Sequence, residues 1–421
     1  MDSTQLYQRL LGLEAPWKVS EVILDESLGE LLVRVINTDK KHSCPTCNAS
    51  GCSIHDHAAS RRWRHLDSCQ MATIIECSIP RVRCDEHGVS QLPVPWAGAK
   101  SRFTLLFEAR AIDAMLMCPR RSAAELLAAS EPSLRRIAEH AVARGLAAKE
   151  ADRADGSLPI PTGFSVDEKS WRGRRYATII GDPKGRIVED ILPGRSQGPL
   201  EAWFKGLGTV ALHAIDSVTM DFHDAFRSAV RASVPAADAK IVHDKFHLVK
   251  AANDAMEQTR RAEMALYRGK KDKDSELLLK KARYSLLRSG TDLQDKHQER
   301  VDLIDEWFHD TGDAYRMKES IRQILSESCS QKVQVLLKEW ASWVLSSAQE
   351  PMKKVARLVT RRMQGILNIF TLGKSNANAE SLNARIQAVR VKSRGHRNYE
   401  AFKRDVMFHL GGLKLHPVFP A

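Results

Sequence analysis

Apolar and polar positions change their rhythm several times along this chain. In the first hundred residues the apolar stretches are short and alternate, as in Gly29 to Ile36 (GELLVRVI) and Ala72 to Ile79 (ATIIECSI), a period of two that predicts strands in a small β-rich module. From Phe103 the period becomes helical through FTLLFEARAIDAMLM, RSAAELLAA and, after a break at Ser130-Glu131-Pro132, SLRRIAEHAVARGLAA. Two short helices around a tight break predict a helix-turn-helix. Ala151 to Gly163 carries no apolar period and reads as a linker.

Beyond it, strand-length runs recur as GFSVDE, RYATIIGD, GRIVEDILPG, TVALHAIDSV and AKIVHDKF, each bounded by Gly, Pro or Asp. FHDAFRSAVRASV, between the last two, has Phe222, Phe226, Val230 and Val234 at helical steps of four. Three strands followed by strand, helix, strand predict an α/β sheet with an antiparallel beginning and a parallel end. The next stretch reads as helix almost throughout, in VKAANDAMEQTRRAEMALY, SELLLKKARYSLL, VDLIDEWFHDTGDAYRMKESIRQIL and VQVLLKEWASWVLSSA.

The length, 421 residues, excludes a single small module, and 64 basic against 52 acidic residues leave a net charge of +12 that favours a polyanionic partner. No window approaches the ~18 apolar residues of a membrane span, and the start MDSTQLYQRL lacks the basic and apolar regions of a secretory signal. Eight cysteines are too sparse for a disulfide scaffold, so the expected location is the cytoplasm.

Four of the cysteine and histidine positions carry metal chemistry. Cys44-Pro-Thr-Cys47 and Cys84-Asp-Glu-His87 share one spacing and flank a β-like stretch; each pair lets one turn present two donors, and together they close a tetrahedral, structural Zn²⁺ shell. Cys52, His55, His57, Cys69 and Cys77 compete at less regular spacings. In the second helix of the helix-turn-helix, Arg136, His140 and Arg144 lie at four-residue steps, a face that meets DNA or is simply solvated.

Acidic residues offer a second site. Asp167 ends the first predicted strand, Asp221 stands at or just beyond the end of the fourth, and Glu380 lies on a helix opening at Asn376. Hard oxygen donors so grouped would hold Mg²⁺ and leave room for water and phosphate. Spacing alone does not single these acids out, and Asp216 competes for the second place. On the Glu380 helix, Glu380, Asn383 and Gln387 share a face, with Leu382, Ile386 and Val389 as the opposing apolar stripe. Downstream, Arg385, Arg390, Lys392, Arg394, Arg397, Lys403 and Arg404 face one acid, Glu400, a tract suited to a phosphate backbone.

The strings SVDEKS, VTMD, IVHDKFH and KSNANAESLNARIQ, preceded by CPTC, RRWRHLD and RVRCDEH, resemble the transposases of the ISL3 family of bacterial insertion sequences across nearly the whole chain. The resemblance implies a multidomain protein: an N-terminal zinc-binding β-rich module (1–100), a helix-turn-helix (101–150), then an α/β RNase H-like catalytic domain (160–250 and 371–421) interrupted by an all-helical insertion (251–370). It implies a DDE enzyme with Asp167, Asp221 and Glu380 as triad, two Mg²⁺ or Mn²⁺ ions, and Zn²⁺ in the structural site. Asp244-Lys245-Phe246-His247 resembles the Asp-x-x-His signature of several DDE families, which adds Asp244 and His247 as supporting residues. Implied partners are terminal inverted repeats, target DNA and a second subunit, in a bacterial, nucleoid-associated setting. Two departures stand out: His87 where the family usually has cysteine, and Ser381 where many members have glycine. A non-catalytic DNA-binding regulator and an RNase H-like nuclease are the rival readings.

Overall fold

The computed structural model describes residues 2–374 and 377–419, and the side chains of Asp292 and Ala377 are not considered. It divides into two compact units, Met1–Asp155 with Leu413–Ala421, and Gly156–Gly412. The sequence carries the last segment of its α/β domain to residue 421; in the structure the end of the chain belongs to the first unit.

The first unit opens with α1 (Ser3–Leu10) and eight strands: β1 (Trp17–Asp25), β2 (Glu30–Asn37), β3 (Lys41–His42), β4 (Cys52–His57), β5 (Arg61–Arg64), β6 (Ala72–Cys77), β7 (Pro80–Cys84) and β8 (Gly88–Gln91). They form two four-stranded sheets, ordered β1-β2-β6-β5 and β3-β4-β7-β8. Alternation holds: Leu31, Val33 and Val35 of β2 are buried while Arg34 points outward to Glu21 and Glu76. Their core gathers Trp17, Trp63, Ile75, Val82 and Trp96, with Trp96 edge-on to both other tryptophans. Three helices follow, α2 (Leu105–Met117), α3 (Arg120–Leu126) and α4 (Glu131–Ala154). Ser130 caps α4 by accepting from the Ser133 N–H, with Pro132 in the first turn, so the break seen in the sequence is a helix start.

The second unit is built on β9 (Gly163–Arg172), β10 (Arg175–Asp182), β11 (Ile187–Pro193), α5 (Gln197–Gly206), α6 (Thr209–Ala214), β12 (Ser217–Met220), α7 (Asp224–Ser233), α8 (Ala237–Lys240) and β13 (Ile241–His243). The sheet order is β11-β10-β9-β12-β13; β9, β10 and β11 pair antiparallel, and β12 runs parallel to both β9 and β13. Two expected strands are corrected. TVALHAIDSV is a helical turn and then a strand, because Gly208 at φ 83° sends Thr209 into α6 before β12 begins. AKIVHDKF contributes only its middle three residues to β13, since Asp244 caps the next helix.

Helices α9 (Lys245–Gly269), α10 (Lys273–Leu287), α11 (Asp295–Trp307), α12 (His309–Ile324), α13 (Ser330–Ser346) and α14 (Glu350–Leu372) then share one core around Met256, Leu286, Ile321, Leu337 and Trp340. The run expected from Val301 to Leu325 is two helices broken at Phe308. α15 (Ala377–Lys392) and α16 (Tyr399–Leu410) return to the sheet, α15 against β9 and α16 against β11. No described helix is long and apolar enough to cross a membrane.

Candidate functional site

In the first unit, Cys44 and Cys47 flank the turn between β3 and β4, and Cys84 and His87 the turn between β7 and β8. Their four donor atoms lie within 4.8 Å of one another, with Cys47 Sγ 3.8 Å from Cys84 Sγ and Cys84 Sγ 3.9 Å from His87 Nδ1. Donors bound at about 2.0–2.3 Å to a tetrahedral ion stand roughly that far apart, so the set fits structural Zn²⁺. The backbone N–H groups of Cys47 and Thr46 draw the Cys44 thiol down to about 6, toward the thiolate that metal requires. Among the competitors, burial pushes Cys77 up to about 12, which makes it a core thiol, and Cys52 donates to the Ala49 carbonyl.

The face of α4 is only partly as expected. Arg136 and His140 are exposed, but Arg144 is half-buried and donates to the Leu415 carbonyl at 2.6 Å. That bond, to a residue 271 positions later, takes Arg144 out of the exposed row that the sequence offers for DNA.

In the second unit the register of the parallel pair sets the acidic site. The last partners of β9 and β12 are Val166 and Met220, so the next residues on the two chains are Asp167 and Asp221. Asp167 does not end its strand as expected: β9 runs on to Arg172 against β10, and Asp167 stands where β12 stops beside it. Its Oδ1 accepts from the Glu168 N–H at 2.7 Å and its Oδ2 from Asn383 Nδ2 at 2.5 Å. Asp221 Oδ1 accepts from the His223 N–H at 2.9 Å. Burial raises the pKa of both carboxyls, and the charge of Asp221 raises Asp167 further. Asp216, before β12, accepts from Thr162 and Ser217, at the opposite end of that strand from Asp221.

Asp244 caps α9, accepting from the Phe246 N–H at 2.9 Å, and its other oxygen holds His247 Nδ1 at 2.9 Å. That bond, with the charges of Asp167 and Asp221, raises the His247 pKa against the opposing effect of burial. His243, buried at the end of β13, holds the Asp221 carbonyl through Nδ1 at 3.0 Å and stacks on Phe222. Burial draws its pKa down to about 4, so it is neutral and its Nδ1–H is the donor.

Glu380 is exposed in the first turn of α15; Asn376, where the sequence opens this helix, lies outside the described residues. Ala379, Leu382, Ile386 and Val389 are buried, and burying the last three at about 1.5–3 kcal/mol each fixes how the helix lies. The stripe Glu380, Asn383, Gln387, Arg390 is one residue further on, about 100° round, so it flanks the buried stripe rather than opposing it. Among the described residues, Asp167, Asp221 and Glu380 do not converge within the 4.8 Å that joins the thiolate set; what joins α15 to Asp167 is Asn383. In the basic tract, Arg385 donates to the Arg186 carbonyl and Arg390 to Gln387 Oε1, Lys392 is half-buried, and Arg394 and Arg397 are exposed. Asn383 and His243 had no assigned role in the sequence; Asn383 shows a signal there, its place on the Glu380 face.

Comparison with known proteins agrees with the order of these parts. A family model described as a transposase, of the ISL3 kind, matches residues 164–406. A zinc-finger of transposase IS204/IS1001/IS1096/IS1165 matches 40–87, and a helix-turn-helix domain of transposase family ISL3 matches 92–142. The chain is similar to the transposase for insertion sequence element IS1557 of Mycobacterium tuberculosis, 26% identical over 441 residues covering 98% of this chain and 96% of that one. It is also similar to the transposase for insertion sequence element IS1001 of Bordetella parapertussis, 23% identical over 375 residues, 87% and 88% of the two chains. No solved structure matches.

Proposed function

The chain belongs to the ISL3 family of transposases, and on that premise we propose that Asp167, Asp221 and Glu380 form a DDE site that cuts DNA at the element's ends and joins the freed 3′-hydroxyls to target DNA. The observation that carries this reading is the meeting of Asp167 and Asp221 at the end of the β9–β12 pair, with the Glu380 helix fastened to Asp167 through Asn383. The sheet order, three antiparallel strands followed by two parallel ones, supports an RNase H-like core in 160–250 and the last segment. Helices α9 to α14 are then its insertion, the counterpart of 251–370 in the sequence.

Asp167 and Asp221 suit a divalent cation, because burial raises the pKa of both carboxyls, the charge of Asp221 raises Asp167 further, and a cation offsets both effects. Two Mg²⁺ or Mn²⁺ ions held there would supply Lewis-acid polarisation of the phosphodiester and a more acidic attacking hydroxyl. Glu380, a turn of helix before Asn383, is the third carboxylate of the set. His247, its Nδ1 held by Asp244, presents Nε2 to accept the proton that water or the 3′-hydroxyl loses on attack at phosphorus; the departing 3′-oxygen is protonated by solvent. Arg136 and His140 of α4 contact end DNA, and Arg385, Arg390, Lys392, Arg394 and Arg397 line the backbone path. Two ends demand two subunits at least, and the setting is the nucleoid of a bacterial cytoplasm.

The test is strand transfer on DNA carrying the terminal repeats that flank the gene. Asp167→Asn, Asp221→Asn and Glu380→Gln each lower cleavage and joining by about a thousandfold or more while end binding persists, whereas Asp216→Asn stays active. Full activity in the three variants would remove these acids from the site, absence of cleavage in the native protein would return the chain to a binding regulator, and cleavage without joining would make it a nuclease.

A further inference from the structure

Strand alternation puts Lys169 on the same face of β9 as Asp167, two residues and about 6.6 Å along. On α15, Arg390 shares the stripe of Asn383, seven residues on. The Asn383–Asp167 bond pins helix to strand at one point, and Arg172 at the end of β9 donates to the Arg397 carbonyl just beyond α15, so the two stripes run the same way; burial and then the charge of Arg390 lower the Lys169 pKa, against the opposing charge of Asp167. Neither cation has a carboxylate at ion-pair distance among the described residues. Arg390 is oriented by Gln387 Oε1 at 3.1 Å, and its Nε is buried with no hydrogen-bond partner. Along the contact of β9 with α15 the charges are therefore ordered, Asp167 and Glu380 toward one end and Lys169 and Arg390 toward the other.

We propose that Lys169 and Arg390 form a phosphate subsite that takes the phosphodiester next to the one being cut. Two half-buried cations on adjoining stripes, neither in an ion pair with an acid, repel one another, and a bound phosphate reverses the sign of that energy. Arg390 offers a planar fork of donors and Lys169 a point charge, complementary ways to hold one phosphate group. The distance from Asp167 to Lys169 is comparable with the step between neighbouring phosphates on one strand, so a strand held here is in register with the carboxylates. The subsite rests on the DNA-cutting reading above and names the part of the substrate that positions the scissile bond.

The experiment uses the full chain, a random-sequence duplex and Ca²⁺, so that no cleavage is needed. Lysine acylation read by mass spectrometry should show Lys169 protected severalfold by the duplex, with the protection lost in Arg390→Gln. Lys169→Gln and Arg390→Gln should each reduce the slope of log Kd against log salt by about 0.9, one phosphate contact apiece, and Lys169→Arg should restore it. Equal labelling with and without DNA, or variants that lower Mn²⁺ affinity or melting temperature while leaving the salt slope unchanged, would overturn the subsite. A protein that protects Lys169 yet cuts no DNA in Mg²⁺ or Mn²⁺ overturns the DDE reading and leaves the subsite standing.

Discussion

Asp167 and Asp221 are held in a way that opposes their own charge. Burial raises both, Asp221 raises Asp167, and the bonds from Glu168, Asn383 and His223 only partly compensate. A carboxyl whose pKa is raised by folding keeps its proton to higher pH than in the unfolded chain. Its penalty is absent below the ordinary range near 3.8 and complete once pH passes the raised value, so metal-free stability falls as pH climbs through that window. Asp221→Asn keeps an oxygen for the His223 N–H and removes the charge. We expect it to raise the melting temperature at pH 7 without metal, by roughly 2 °C, and to abolish the further rise that Mg²⁺ gives the native protein. Calorimetry with and without Mg²⁺ decides this, and a variant that melts lower without metal would mean that the Asp221 charge is already compensated.

Among the elements, α14 shows how a local rule yields to a distant contact. Gly365 sits in the middle of this helix, where alanine would normally be better by about 1 kcal/mol. A Cβ there would stand 2.5 Å from His243 Cδ2, and His243 cannot retreat without releasing the Asp221 carbonyl. Overpacking of this kind costs about 1–3 kcal/mol, so the contact outweighs propensity. Gly365→Ala should lower stability by about 1 kcal/mol or more in urea titration and raise the Mn²⁺ concentration needed for half-maximal cleavage; a stabilised, fully active variant would show that α14 moves aside freely. The sequence carries its elements where the signal is local: β10 and β11 are largely apolar runs stopped at Asp182 and before Gly194, and the two metal-binding turns repeat one spacing. It misleads where a single backbone angle decides, as at Gly208, and where a carbonyl 271 residues away recruits Arg144. For the same reason Asn383 shows its side of α15 but not its partner, Asp167, 216 residues earlier on another strand. Asp167, Asp221 and Glu380, the acids of the proposed site, stand out only through resemblance to a family; spacing alone does not set Asp221 above Asp216.

At the scale of the whole chain, each unit has a core of its own, but their means of stability differ. The sheet β3-β4-β7-β8 has a first strand of two residues and a last of four, too little to order the turns that carry Cys44, Cys47, Cys84 and His87. A bound ion joins those turns directly, so its binding energy becomes folding energy for that sheet. In the second unit, the sheet closes around Phe164, Val166, Val218 and Phe226 with no such need. A strong chelator should therefore release about one Zn²⁺ per chain and speed amide exchange across residues 41–57 and 80–91 by tenfold or more, while exchange across 163–193 is unchanged. The pair Cys44→Ser and Cys84→Ser should reproduce the exchange pattern without chelator. His87→Cys is the sharper probe: it keeps four donors and exchanges nitrogen for a thiolate, so the zinc content should persist and the chelator should act more slowly. If zinc is lost from His87→Cys, or if chelation leaves 41–57 and 80–91 protected, the four donors do not hold the sheet together, and the order of that region comes from the tryptophan core alone.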